Sequence, residues 1–188
     1  MYHKFLFVRL FLTSLILSLS LPALAWEEEE LPHVRINEPR DLRDEAALSQ
    51  ENRKPILILF SMEGCTYCEY VEEEHLKPML RNADYRSKVI IRRVMTDDYA
   101  TLIDFNGNAV DRMDFSNRYG AFLTPTVVFI DHQGKQLAPR ILGVRNTEFY
   151  GFDLEEGLKT SLRKLRGDIT TAETRSSSKN LKRNASTF

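Results

Sequence analysis

Five consecutive apolar residues, Ile56-Leu57-Ile58-Leu59-Phe60, lead within a few residues to Cys65-Thr66-Tyr67-Cys68, and this succession constrains the fold more than anything else in the chain. A segment apolar at every position has no polar side to offer water, so it predicts a central strand covered on both faces. The residues after the pair read as a helix. These are the only two cysteines in 188 residues. A buried strand, a short turn and a Cys-x-x-Cys at a helix start suit electron exchange between thiols and disulfides.

Residues 1–25 carry the marks of an export signal: basic Lys4 and Arg9, an almost wholly apolar run from Leu10 to Leu21, then Ala23-Leu24-Ala25 as a small-x-small cleavage pattern. The apolar run is short beside the about 20 residues of a membrane helix; the alternative is an uncleaved N-terminal anchor. No cysteine lies near the cleavage site, which argues against a lipoprotein. A mature chain starting at Trp26 keeps 24 basic and 27 acidic residues, a formal charge of −3. That near balance points away from a nucleic-acid surface. Disulfides persist outside the cytoplasm. A closed Cys65–Cys68 loop would restrain little of the unfolded chain, so reactivity explains the pair better than stability does.

The remaining chain divides into an extended acidic lead-in at 26–40, one domain at 41–167 and a polar tail at 168–188, predicted disordered for want of apolar residues. Asp41 can cap a helix through Gln50. Pro78 is expected to end or kink the helix that follows the cysteines. Val89–Val94 reads as a second core strand. Asn106-Gly107 between apolar residues predicts a hairpin over 101–110. Asp111 can cap a helix to Tyr119, with Gly120 at its stop. Thr126–Ile130 is the third strand, Asp131–Gly134 a turn, and a fourth strand reaches Ile141-Leu142. Asp153 with Glu156 forms a capping-box pattern for a last helix, whose stripe is Leu154, Leu158, Leu162 and Leu165.

On these residues the chain resembles the thioredoxin superfamily over about residues 40–166. The cysteine pair after a buried strand, Thr124-Pro125-Thr126 opening the next-to-last strand, and Gly143 after the last one carry the resemblance. Within the superfamily it looks most like the exported SoxW type, through Lys54-Pro55, Phe60-Ser61, Cys65-x-Tyr67-Cys68, the inserted hairpin, and Pro125 to Asp131 followed by Gly134. The resemblance implies an α/β thioredoxin-like fold: a central mixed sheet of about four to five strands flanked by helices, with an inserted β-hairpin. It implies a cis bond before Pro125, beside the sulfurs. Leu59 stands where cytosolic thioredoxins carry a buried aspartate, so another group has to handle the proton of the second sulfur.

The function so implied is an exported, periplasmic thiol:disulfide oxidoreductase working as a reductase of protein disulfides. No cofactor is expected beyond the redox-active Cys65–Cys68 disulfide. Electrons would come from a membrane thiol carrier or a thioredoxin-like protein to a monomer. Cys65, at a helix N-terminus, is the expected nucleophile, its thiol acidified by unpaired N–H groups and the helix dipole. Cys68 is the expected resolving thiol. Thr66 and Tyr67 shape the site and its redox poise, and the backbone of Thr124 before Pro125 can pair with an extended substrate. Two alternatives stand beside this: a peptide-binding module with a static disulfide, and a disulfide isomerase, which would call for a dimer.

Zinc is a poor fit, since His75 lies seven residues past Cys68, about 10 Å along a helix. His33 and His132 sit in the lead-in and a turn. His75 reads as a packing or surface histidine, and Glu72-Glu73-Glu74 as a solvated helix face. Arg92 and Arg93, adjacent on a strand, point to opposite faces, one of them toward Leu59. Asn184-Ala185-Ser186 matches a glycosylation sequon and is read as chance.

Overall fold

In the computed structural model, which describes residues 31–185 and their side chains through Gly167, Asp41 opens the first helix as its pattern predicts. The order is α1 (Leu42–Asn52), β1 (Ile56–Ser61), α2 (Thr66–Val71), a π turn (Glu72–Leu76), α3 (Lys77–Arg81), α4 (Ala83–Arg86), β2 (Ile90–Met95), β3 (Thr101–Ile103), β4 (Ala109–Asp111), α5 (Arg112–Arg118), β5 (Thr126–Ile130), β6 (Ile141–Leu142) and α6 (Tyr150–Ala185). The expected export signal lies outside the described residues. Among those described, no helix is long and apolar enough to cross a membrane.

All six residues of β1 are buried, and the strand takes the interior position its composition demands. The four-stranded sheet runs β2-β1-β5-β6, with β3–β4 as a separate hairpin. β1 pairs in parallel with β2 and antiparallel with β5, giving the mixed sheet expected. Alternation sorts its side chains to two faces. Leu57, Leu59, Ile91, Val127 and Phe129 pack with Val71, Leu76 and Met79 from the helix after the cysteines, and with Tyr150, Leu154 and Leu158 of α6. Ile56, Ile58, Phe60, Val94 and Val128 pack with Leu42, Leu102 and Phe115 from α1, the hairpin and α5. Each such burial contributes about 1.5–3 kcal/mol.

The sequence reading expects Pro78 to end or kink the helix after the cysteines and Asp153 to cap the last helix. Pro78 does not end the helix after the cysteines. The helix widens instead into the π turn, where the Lys77 N–H donates to the Glu72 carbonyl. This eases the crowding a proline ring causes one turn back. Asn82, extended and capping α4 through its side chain, is the real stop. The last helix begins at Tyr150, not after Asp153. Tyr150 is fully buried, and its packing draws one more turn into the helix, with the Asp153 N–H donating to the Phe149 carbonyl. The backbone of α6 continues to Ala185.

Candidate active site

β1 ends at Ser61, and three residues carry the chain from there to the first cysteine. Gly64 takes φ +66°, a left-handed conformation that costs glycine little. The Glu63 N–H donates to Asp97 Oδ2 at 2.8 Å, tying this turn to the segment after β2. Cys65 is the N-cap of α2, with extended backbone. Its Sγ accepts from the Cys68 N–H at 3.2 Å. That donor is one of the N–H groups a helix start leaves unpaired.

Cys65 and Cys68 form a disulfide with Cα atoms 5.2 Å apart. Their exposure is unequal: Cys65 is half-buried, whereas Cys68 is 2% exposed. The outer sulfur can be reached by another molecule, and the inner one can be reached through it. A reduced Cys65 in this position has a backbone donor aimed at its sulfur, which favours thiolate.

The Thr124–Pro125 bond is cis, as the resemblance implied. Register places it: Phe60 pairs with Thr126, so the start of β5 lies at the sheet edge where β1 hands over to the cysteine loop. The Gly143 N–H donates to the Pro125 carbonyl at 2.8 Å, and Thr126 Oγ1 to the Leu123 carbonyl at 2.6 Å. Pro125 is buried and Thr124 half-buried. Thr66 is exposed, and Tyr67 is 57% exposed. Phe122 and Leu123, also exposed, lead into Thr124. Sequence reasoning passed over them; two large apolar residues between Gly120 and a Thr-Pro pair were the available signal.

Charges under the site were read only in part. Arg93 stands opposite Leu59, as expected for one of the two arginines. Arg92 donates to Glu45 of α1 at 2.6 Å. Glu72 is not on a solvated face: it is buried and accepts from Arg93, while Glu73 and Glu74 remain exposed. Helix geometry accounts for this burial, because Glu72 is one turn past buried Cys68. Burial works against the Arg93 charge, but its bonds to Glu38 and Glu72 outweigh this and raise its pKa. His75 packs between Tyr70 and Tyr150, with ring centroids at 5.4 and 5.2 Å, and burial lowers its pKa. Among the described residues no group of three or more His, Cys, Asp or Glu could hold a metal ion.

A family model described as a thioredoxin-like domain matches residues 42–150. No curated protein matches the chain. Similar solved structures include the periplasmic thioredoxin SoxS from Paracoccus pantotrophus, at 17% identity over 57% of this chain and 99% of that one, TM-score 0.40. Thioredoxin from Fasciola hepatica is 18% identical over 66% of this chain and 97% of its own, TM-score 0.43. The DsbH oxidoreductase is 19% identical over 70% and 94%, TM-score 0.44.

Proposed function

The chain belongs to the thioredoxin-like domain family, and on that footing we propose that it is an exported thiol:disulfide oxidoreductase that reduces disulfides in other proteins. The observation that carries this reading is the Cys65 sulfur: half-buried at a helix N-cap, held by the Cys68 N–H and bonded to a buried partner sulfur. In the reduced protein, the Cys65 thiolate attacks one sulfur of a substrate disulfide. A mixed disulfide forms, and the second substrate sulfur leaves as a thiolate. Cys68 loses its proton and attacks Cys65 Sγ. The bond between Cys65 and substrate breaks, and its electron pair leaves with the substrate sulfur. The substrate has gained two electrons and, from solvent, two protons. The protein is left with the Cys65–Cys68 disulfide, which a donor dithiol reduces again.

Thr124 offers its backbone to an extended substrate segment beside Pro125, while Thr66 and Tyr67 border the attacked sulfur. Export rests on the pattern at residues 1–25. A membrane thiol carrier or a thioredoxin-like donor would then supply electrons to the monomer. The resemblance to the SoxW type favours service to sulfur metabolism or to the maturation of exported redox proteins, cytochrome c included.

The test is trapping. Cys68→Ala should accumulate mixed disulfides through Cys65, seen as bands on a non-reducing gel that vanish with reductant, and Cys65→Ala should form none. No trapped species, together with full function in Cys65→Ala, would replace this reading with a static peptide-binding module.

A further inference from the structure

The charges of this chain are sorted along its length. From Lys159 to its end the chain holds eight Lys and Arg against two acidic residues, whereas residues 26–158 hold 16 against 25. The basic stretch lies on α6. Lys159, Arg163 and Arg166 are spaced four and three apart, so they share one helix face, and all three are exposed. With Lys88, from the turn before β2, they rim a hollow of about 530 Å³ that reaches the half-buried Leu162. Two carboxylates offset them in part: Glu155 accepts from the Tyr85 hydroxyl, and Glu156 pairs with Lys159 at 3.2 Å. Register sets the hollow far from the sulfurs. Ile56 at one end of β1 pairs with Ile90, just past Lys88. Cys65 follows the other end, about 17 Å of strand away.

We propose that this face of α6 docks the exported protein on a bilayer with anionic phospholipid headgroups. The rim cations meet headgroup phosphates, while Leu162 and the aliphatic stems of the lysines and arginines meet the first carbons behind them. A basic rim over an apolar floor matches a molecule that is anionic at its head and apolar just behind it, as a phospholipid is. A formal charge of −3 spread evenly would be repelled by such a surface. Sorting the charge lets the basic end approach while the acidic remainder faces water. The contact is peripheral, since no helix among the described residues is long and apolar enough to cross a membrane. Docking at this end leaves Cys65 uncovered, whether or not it exchanges disulfides.

Sedimentation with vesicles tests this, using the exported chain from Trp26, which lacks the apolar run at 10–21. It should bind vesicles of equal parts phosphatidylglycerol and phosphatidylcholine, come off as salt rises, and leave phosphatidylcholine alone unbound. Lys159→Gln, Arg163→Gln and Arg166→Gln together should weaken binding about 100-fold, about fivefold per charge. Arg163→Lys should bind as the parent does, and Lys88→Gln alone should lose about fivefold. Disulfide reduction in solution should be the same in all of these variants. Binding to anionic vesicles undiminished by the triple substitution overturns the proposal, as does equal binding to neutral ones. Capture by a poly-glutamate matrix without vesicle binding would assign the face to an acidic protein instead. A parallel loss of disulfide reduction would trace the effect to the fold and overturn the proposal as well.

Discussion

Asp104 in the β3–β4 hairpin is a carboxylate only 3% exposed, and what surrounds it decides whether it stabilises. Burial alone pushes its pKa up. Hydrogen bonds from the Asn108 and Asn106 backbone N–H groups, at 2.9 and 3.0 Å, and from Arg118 at 2.9 Å outweigh burial and hold it below the ordinary 3.8. With the folded value depressed, the contribution is complete above the unfolded value and is lost as pH falls through the folded one. Asp104→Asn should therefore cost about 1–3 kcal/mol at neutral pH and much less at about pH 2. Urea midpoints at both pH values check this, and an equal loss at both would sink it. Sequence reading found the turn through Asn106-Gly107 but not this carboxylate, because Arg118 comes from the following helix.

At the scale of elements, α6 meets β5 through a glycine. A Cβ on Gly157 would lie 2.3 Å from Phe129 Cε2 and 3.0 Å from Cδ2 and Cζ. The Phe129 ring is fully buried and has nowhere to retreat. Gly157→Ala should thus destabilise by about 1–3 kcal/mol, although alanine in a free helix gains about 1 kcal/mol over glycine. A denaturant midpoint equal to or above that of the wild type would refute this packing. The caps behave otherwise. Asp41 and Asp111 accept from N–H groups two and three residues ahead, and such local bonds can be read from sequence.

For the whole molecule, the lead-in does more than connect. Ile36 is 7% exposed and joins the core beneath β1. The Arg93 N–H donates to the Asn37 carbonyl at 3.0 Å, and Asn37 bridges to Arg92, so the segment lies along the outer edge of β2. Glu38 adds its bond to Arg93. An uncovered sheet edge invites pairing with other chains. A chain starting at Asp41 should lose at least about 2 kcal/mol of stability and self-associate on size exclusion. An unchanged urea midpoint with a monodisperse peak would contradict this role.

Local chemistry made much of the fold legible in the sequence: a strand apolar at every position, two aspartate caps, an Asn-Gly hairpin, a Cys-x-x-Cys at a helix start. Each is a period or a bond spanning a few residues, so nearby residue types suffice to state it. The cis bond before Pro125 came from a family pattern rather than from local chemistry. Tertiary structure alone decided that the helix passes through Pro78, that Tyr150 begins α6, and that Glu72 is buried against an arginine 21 residues away. Those outcomes depend on which groups remain after the sheet and helices pack, and a buried charge or an extra helical turn has no energy to be read until its partner is in place.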